Sequence, residues 1–243
     1  MPHISITAEP IGKIFGLTIT NSILTTWVVM LLLIILGVLV STSFKTIPGN
    51  FQSVGELVIT GLHNLFKSII GEDKINKFFP LLATFFLFII AANWIGLLPG
   101  VGTIGVKEEE KLIPLFRGPT ADLNTTLALA LIAVFVVQYY GIKSVGSKIY
   151  LSKFLNFKNP ILFFVGILEF ISEVARILSF AFRLFGNIFA GEVLLAVIAF
   201  LIPLIVPLPF LGLEVFVGFI QALVFAMLTA VFLAVATSEH AEH

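Results

Sequence analysis

Long apolar runs separated by short polar breaks divide this chain into five stretches of membrane-spanning length and one of a different kind. About 20 mainly apolar residues match the roughly 30 Å hydrocarbon core of a bilayer. Such runs occupy residues 23–42, 78–98, 122–142, 160–202 and 211–236. Asn21-Ser22 opens the first, Ser41-Thr42-Ser43 closes it, and Leu-Leu-Pro-Gly (97–100) stops the second. Residues 51–70 follow another rule. Phe51, Val54, Leu57, Val58, Leu62, Leu65, Phe66 and Ile69 recur at helical spacing, while Gln52, Glu56, Thr60, His63, Asn64 and Lys67 fill the other side. That pattern predicts an amphipathic helix lying at the membrane surface. Residues 102–120 predict a polar loop whose Lys-Glu-Glu-Glu-Lys (107–111) is a solvated run.

The fourth run is too long for an ordinary span. From Pro160 to Ile202 there is no proline, and only Gly166, Gly186 and Gly191 weaken the helical signal. Asn159 is the expected N-cap and Pro160 the first helical residue. The helix would be roughly 60 Å long, about twice the hydrocarbon thickness, and tilts of 0–40° do not absorb that excess. It either lies steeply inclined or breaks near a glycine into two short spans. The absence of a proline or a polar cluster at the glycines favours the inclined helix. Pro203, Pro207 and Pro209 are expected to end it before the last helix.

Composition places these runs in a membrane. The 243 residues are 58% hydrophobic and 12% charged, with a mean hydropathy of +1.11, whereas a soluble domain is about 25% charged. The expectation is an all-α membrane protein: a single multi-span helical bundle over 1–243, with two long, steeply inclined C-terminal helices. Zero formal net charge offers no footprint for nucleic acid. There is no cysteine, and the four histidines (His3, His63, His240, His243) lie outside the most apolar runs without metal-ligand spacing. The N-terminal stretch lacks the basic lead of a cleaved signal. Placing Lys143, Lys148, Lys153 and Lys158 in the cytoplasm also puts Lys45, Lys67, Lys74 and Lys77 there, with Lys13, Lys107, Lys111 and Arg117 outside. This bias predicts an external N-terminus and a cytoplasmic C-terminus.

Charge inside the apolar runs is the candidate chemistry. A cation at mid-membrane costs roughly 2.5–3.5 kcal/mol on insertion scales, and a guanidinium cannot escape by losing its proton. With Glu169 at zero and 100° per residue, Glu173, Arg176, Arg183 and Asn187 share an arc of about 80° along roughly 27 Å of helix. Glu192 leaves that stripe at about 140°. Glu169, Glu173 and Arg176 fit an internal ion-pair ladder as well as a functional site. Arg183 has no acid three or four residues away, so its counter-charge must come from another helix or another subunit, Glu214 being one candidate. Glu214, Gly218 and Gln221 share a face of the last helix. Gly186 and Gly191 leave notches where a neighbouring helix can approach.

Arg-Leu-Phe-Gly-Asn-Ile-Phe-Ala-Gly-Glu (183–192) resembles the signature of subunit a of F-type ATP synthases. Pro-Thr-Ala-Asp-Leu-Asn-Thr-Thr-Leu-Ala (119–128) and Gln-Ala-Leu-Val-Phe-Ala-Met-Leu-Thr (221–229) agree with it. The resemblance covers nearly the whole chain and is weak before residue 75. It implies that Arg183 faces the carboxylate of a rotor subunit with Gln221 opposite. It further implies that Asn187, Glu192 and Glu214 line the half-channels, and that Glu169 and Ser172 flank the other side of the path, where Glu173 shares the stripe. Some members carry histidine where this chain has Glu214, so the relay here would use two acids. The implied partners are the c-ring rotor subunits, the peripheral-stalk b subunits and the lipid bilayer, with no cofactor, in a multi-pass protein of the inner cell membrane. The implied role is a non-catalytic stator with two offset proton half-channels. A stand-alone transporter or channel with an arginine gate is the rival. An intramembrane hydrolase ranks last, because no histidine lies in a span to serve a nucleophile.

Overall fold

The computed structural model describes residues 7–14, 16–42, 49–98, 101, 104–108, 111–152, 154, 160–203 and 205–238. In chain order these form a hairpin of β1 (Pro10–Ile14) and β2 (Leu17–Thr20), then helices α1 (Asn21–Thr42), α2 (Asn50–Ile70) and α3 (Glu72–Ile95). A second hairpin pairs β3 (Gly105–Glu108) with β4 (Lys111–Pro114). A 3-10 turn at Pro119–Ala121 leads into α4 (Leu123–Val145), α5 (Ser147–Ser152), α6 (Pro160–Leu201) and α7 (Pro207–Ser238). Helices α1, α3, α4, α6 and α7 are long and apolar enough to cross a membrane. The architecture is an all-α, multi-span membrane bundle with two short hairpins in its loops.

Several boundaries differ from the sequence expectation for local reasons. Helix α3 begins at Glu72 rather than 78. Gly71 (φ 91°) turns the chain between α2 and α3, Glu72 and Asp73 occupy the dipole-favoured first turn, and Ile75 is buried. Helix α7 begins at Pro207 rather than 211. Its prolines fall in the first turn, where a missing N–H loses no intrahelical bond. Asp122 caps α4, its side chain accepting from the Asn124 N–H at 3.0 Å. The loop expected at 102–120 contains a hairpin with Lys107 opposite Leu112 and Glu108 opposite Lys111 in register. Glu109, Glu110 and the expected N-cap Asn159 lie outside the described residues.

Helix α6 runs unbroken for 42 residues, about 63 Å at 1.5 Å per residue. The two-span alternative is thereby set aside. The second half of helix α2 follows the predicted spacing, with Leu62, Phe66 and Ile70 buried and Thr60 and Asn64 exposed where the helix packs on α3 and α7. In its first half Val54, Leu57 and Val58 are exposed and Gln52 is buried, against the expected faces.

The core forms where α3, α4, α6 and α7 meet. Phe225 of α7 packs against Phe85 of α3 at 5.4 Å and against Phe180 of α6 at 5.0 Å between ring centroids. Polar contacts fix the two ends of the bundle. At one end, Lys74 Nζ and Ser144 Oγ both donate to the Thr237 carbonyl, at 2.9 and 3.4 Å. At the other, the Asn21 amide donates to the Pro114 carbonyl and the Arg117 N–H to Thr25 Oγ1. Asn93 ties three elements there: its Nδ2 donates to the Gly218 carbonyl at 2.8 Å, and its Oδ1 accepts from Thr120 Oγ1 at 2.6 Å. Gly218 permits the approach, since a β-carbon there would lie 3.1 Å from Asn93 Cβ.

Asn93 is buried, so Asn93→Ala strands the Thr120 hydroxyl. The expected loss is about 1–3 kcal/mol. Reversible unfolding of the full chain in mixed micelles against an ionic detergent measures it, and an unchanged midpoint would refute the role of this junction.

Candidate functional site

Helix α6 turns one face inward. Phe180, Ala181, Leu184, Ile188 and Gly191 are buried against α4 and α7. The polar stripe runs along one edge of that face. Arg183 and Asn187 are exposed, as is Ser172, while Glu169, Glu173 and Arg176 are half-buried. Glu192 sits on the opposite edge.

Helices α6 and α7 pack antiparallel. The Arg176 guanidinium lies 4.2 Å from the Phe232 ring centroid, Phe180 meets Phe225, and Gly191 meets Glu214. This register sets half-buried Gln221 at the height of the turn that follows Arg183. The ladder expected from Glu169 to Arg176 contracts to one pair. Arg176 Nη1 donates to both carboxylate oxygens of Glu173, at 2.6 and 2.8 Å, and among the described residues Glu169 joins no ion pair. Glu173 and Arg176 thus neutralise each other, and the Arg176 guanidinium stacks on Phe232 of α7.

Arg183 is different. Its Nη2 donates to Ser179 Oγ at 3.2 Å, and among the described residues no carboxylate lies within ion-pair distance. Glu214 does not serve it, because that side chain lies about two helical turns away over Gly191. Three residues beyond Arg183, a β-carbon built on Gly186 would meet nothing within 4 Å. A permanent cation therefore projects from the outer surface of the bundle beside an open notch.

Glu192 and Glu214 come together elsewhere. Both line a cavity of about 160 Å³ with Asn93, Gly96, Gly118 and Ile188, a polar space large enough for several waters. Glu214 is buried and rests on Gly191, where a β-carbon would overlap its carboxyl group. Glu192 Oε2 is buried without a hydrogen-bond partner among the described residues, 3.8 Å from Arg117 Nη2. The Arg117 guanidinium is buried too, and donates to the Thr7 and Ala121 carbonyls at 3.0 and 3.2 Å.

In the sequence Arg117 reads only as a loop charge that bears on orientation, and Asn93 and Thr120 carry no individual signal. Arg117 stands two residues before the Pro119–Ala128 segment, which already carried a family likeness, and that adjacency was the available signal. Among the described residues no cluster of histidine or acidic side chains could hold a metal ion.

The geometry is an outward-facing fixed cation, with a paired acid and base on one side along the helix and a two-acid cavity on the other. Comparison with known proteins agrees in its coverage. The family described as ATP synthase A chain matches residues 23–234. An ATP synthase subunit a from Gloeobacter violaceus is 39% identical over 223 residues, covering 92% of this chain and 86% of that protein. A chloroplastic ATP synthase subunit a from Stigeoclonium helveticum is 35% identical, covering 90% and 85%. One from Desulfotalea psychrophila is 38% identical over 237 residues, covering 96% and 90%. With its Arg183 helix and its two-acid cavity inside the matched region, the chain belongs to the ATP synthase A chain family.

Proposed function

We propose that this chain is the stator of a rotary ATP synthase membrane sector, carrying protons through two offset half-channels to and from the carboxylates of a rotating c-ring. The carrying observation is Arg183, exposed on a membrane helix with only the Ser179 hydroxyl as a partner among the described residues. A carboxylate in lipid must be protonated, because the ionised form is too costly there. Beside Arg183 it ionises, since a neighbouring fixed cation stabilises the anion. The notch at Gly186 lets a partner helix come close to that cation. Arg183 also separates the two paths, so a proton must travel with the rotor.

The cavity of Glu192 and Glu214 is the access path from the end of the bundle that carries both hairpins. Asn187 and Gln221 lie between that cavity and Arg183, and Glu169, Ser172 and Glu173 border the path at the other end. In the proposed orientation the hairpin end faces outward and the C-terminus lies in the cytoplasm of a cell with this chain in its inner membrane. Peripheral-stalk b subunits are the remaining proposed partners. This chain moves protons and leaves bond chemistry to other subunits.

Arg183→Ala is expected to drop ATP-driven proton pumping to background in vesicles while the complex still assembles. Arg183→Lys is expected to be severely impaired, since an ammonium deprotonates in low dielectric and lacks the planar fork. Normal pumping by both variants, measured by quenching of a pH-sensitive dye, would sink the stator reading.

Gly191→Ala forces the Glu214 carboxyl out of its seat without touching Arg183. Assembly should survive and pumping should fall severalfold, as it should in Glu192→Gln and Glu214→Gln. Wild-type rates in all three would move the access path elsewhere.

In the assembled complex, α6 is expected to lie more than about 40° from the membrane normal, beyond the usual range of tilt. Electron microscopy of the complex in nanodiscs measures this directly, and a near-vertical α6 contradicts it.

A further inference from the structure

The outward faces of α3 and α4 enclose a second cavity, on a side of the bundle that the proposed proton path does not use. Its volume is about 340 Å³, and its walls include Leu81, Phe135 and Val136, with Lys77, Tyr139 and Tyr140 at one end. That size falls within the roughly 300–1,000 Å³ of small-ligand sites. Phe135 is 72% exposed and Tyr139 52%, so the groove opens away from the protein core. It also lies at a fixed depth. Lys77 immediately precedes the apolar run of α3, and Tyr139-Tyr140 closes that of α4. Both helices therefore pass from hydrocarbon to headgroups at this level, the depth at which tyrosine and lysine anchor membrane proteins.

The polar end carries a charge that the protein does not neutralise. Of the cations around the start of α3, Lys67 pairs with Glu72, and Lys74 donates to the Thr237 carbonyl. Lys77 has neither kind of partner among the described residues. Its Nζ is held over the Tyr140 ring, 4.5 Å from the centroid, and lies 5.3 Å from that of Phe78. Asp73, one turn earlier on α3, forms no ion pair with it. The aromatic contacts direct the ammonium toward the groove.

We propose that this groove binds an anionic phospholipid, its phosphate against Lys77 and the tyrosine hydroxyls and an acyl chain along Leu81, Phe135 and Val136. Charge complementarity selects the occupant. A zwitterionic lipid brings its own cation beside Lys77, whereas a net-negative headgroup supplies the missing counter-charge. Basic pockets between membrane helices bind anionic headgroups by the same logic. The site is independent of the rotor reading, since none of its residues belongs to the proposed path.

The test uses the full-length chain in neutral detergent, titrated with dioleoyl phosphatidylglycerol or dioleoyl phosphatidylcholine and read by native mass spectrometry. Wild type should hold one phosphatidylglycerol about five-fold more tightly than phosphatidylcholine, the factor expected for one lysine near an anionic headgroup. Lys77→Gln should erase the preference and leave phosphatidylcholine binding unchanged. Leu81→Trp, which fills the apolar wall, should weaken both lipids. Equal affinities in wild type, or an unaltered preference in Lys77→Gln, overturns the proposal. In membranes containing the whole complex, a photoreactive benzoylphenylalanine at position 135 should crosslink to lipid. A crosslink to another subunit's helix instead would assign the groove to a protein partner and overturn the lipid site.

Discussion

In hydrocarbon there is no water to satisfy an open N–H or C=O, and this requirement shapes the molecule more than any single contact. Every backbone group at membrane depth must be bonded within the protein. A helix of 42 residues with no proline after its first position therefore keeps its hydrogen bonds from end to end. Being about twice as long as the hydrocarbon is thick, it has to incline or emerge from it. A long continuous helix also carries Glu169 and Glu192 well apart on either side of Arg183. The separation of the two proposed paths follows from helix length.

Three guanidinium groups show how differently one side chain can be used. Arg176 is neutralised by Glu173 and stacks on Phe232, so it acts as a joint between α6 and α7. Arg117 is buried at the hairpin end, where two backbone carbonyls and the nearby Glu192 share its charge. Arg183 is left exposed with a single hydroxyl partner among the described residues. The first two are compensated within the chain. Among the described residues the third has no carboxylate to compensate it, and it is this gap that the proposed rotor partner would fill.

Much of this was legible in the residues. The five spans follow from apolar length, and Arg183 stands out because no acid occupies the adjacent turns. The α6 stripe is readable because a helical period converts spacing directly into angle. What escaped depends on tertiary contact. Hydropathy could not place the start of α3, because Glu72–Lys77 is polar and helical at once. The β1–β2 hairpin carried an available signal in apolar-polar alternation around Gly16, whose φ of 83° makes the turn. Arg117 meets Glu192 on a helix far along the chain, and spacing cannot reveal such a meeting. The seating of Glu214 on Gly191 was half visible: the notch was readable, its occupant was not.

The Asn93 bond to Gly218 spans 125 residues of sequence, and the Lys74 bond to Thr237 spans 163. Helix α3 thus enters the membrane long before its principal partner exists. At ribosomal speeds of about 5–20 residues per second, the Asn93 Nδ2 group waits on the order of ten seconds for the Gly218 carbonyl, although Thr120 reaches its Oδ1 far sooner. During that interval the bundle has no closed core, because Phe225 and the α7 surface have not been made. A chain truncated before α7 would keep the packing of α4 on α6 but lose the surface on which α3 makes its main contact.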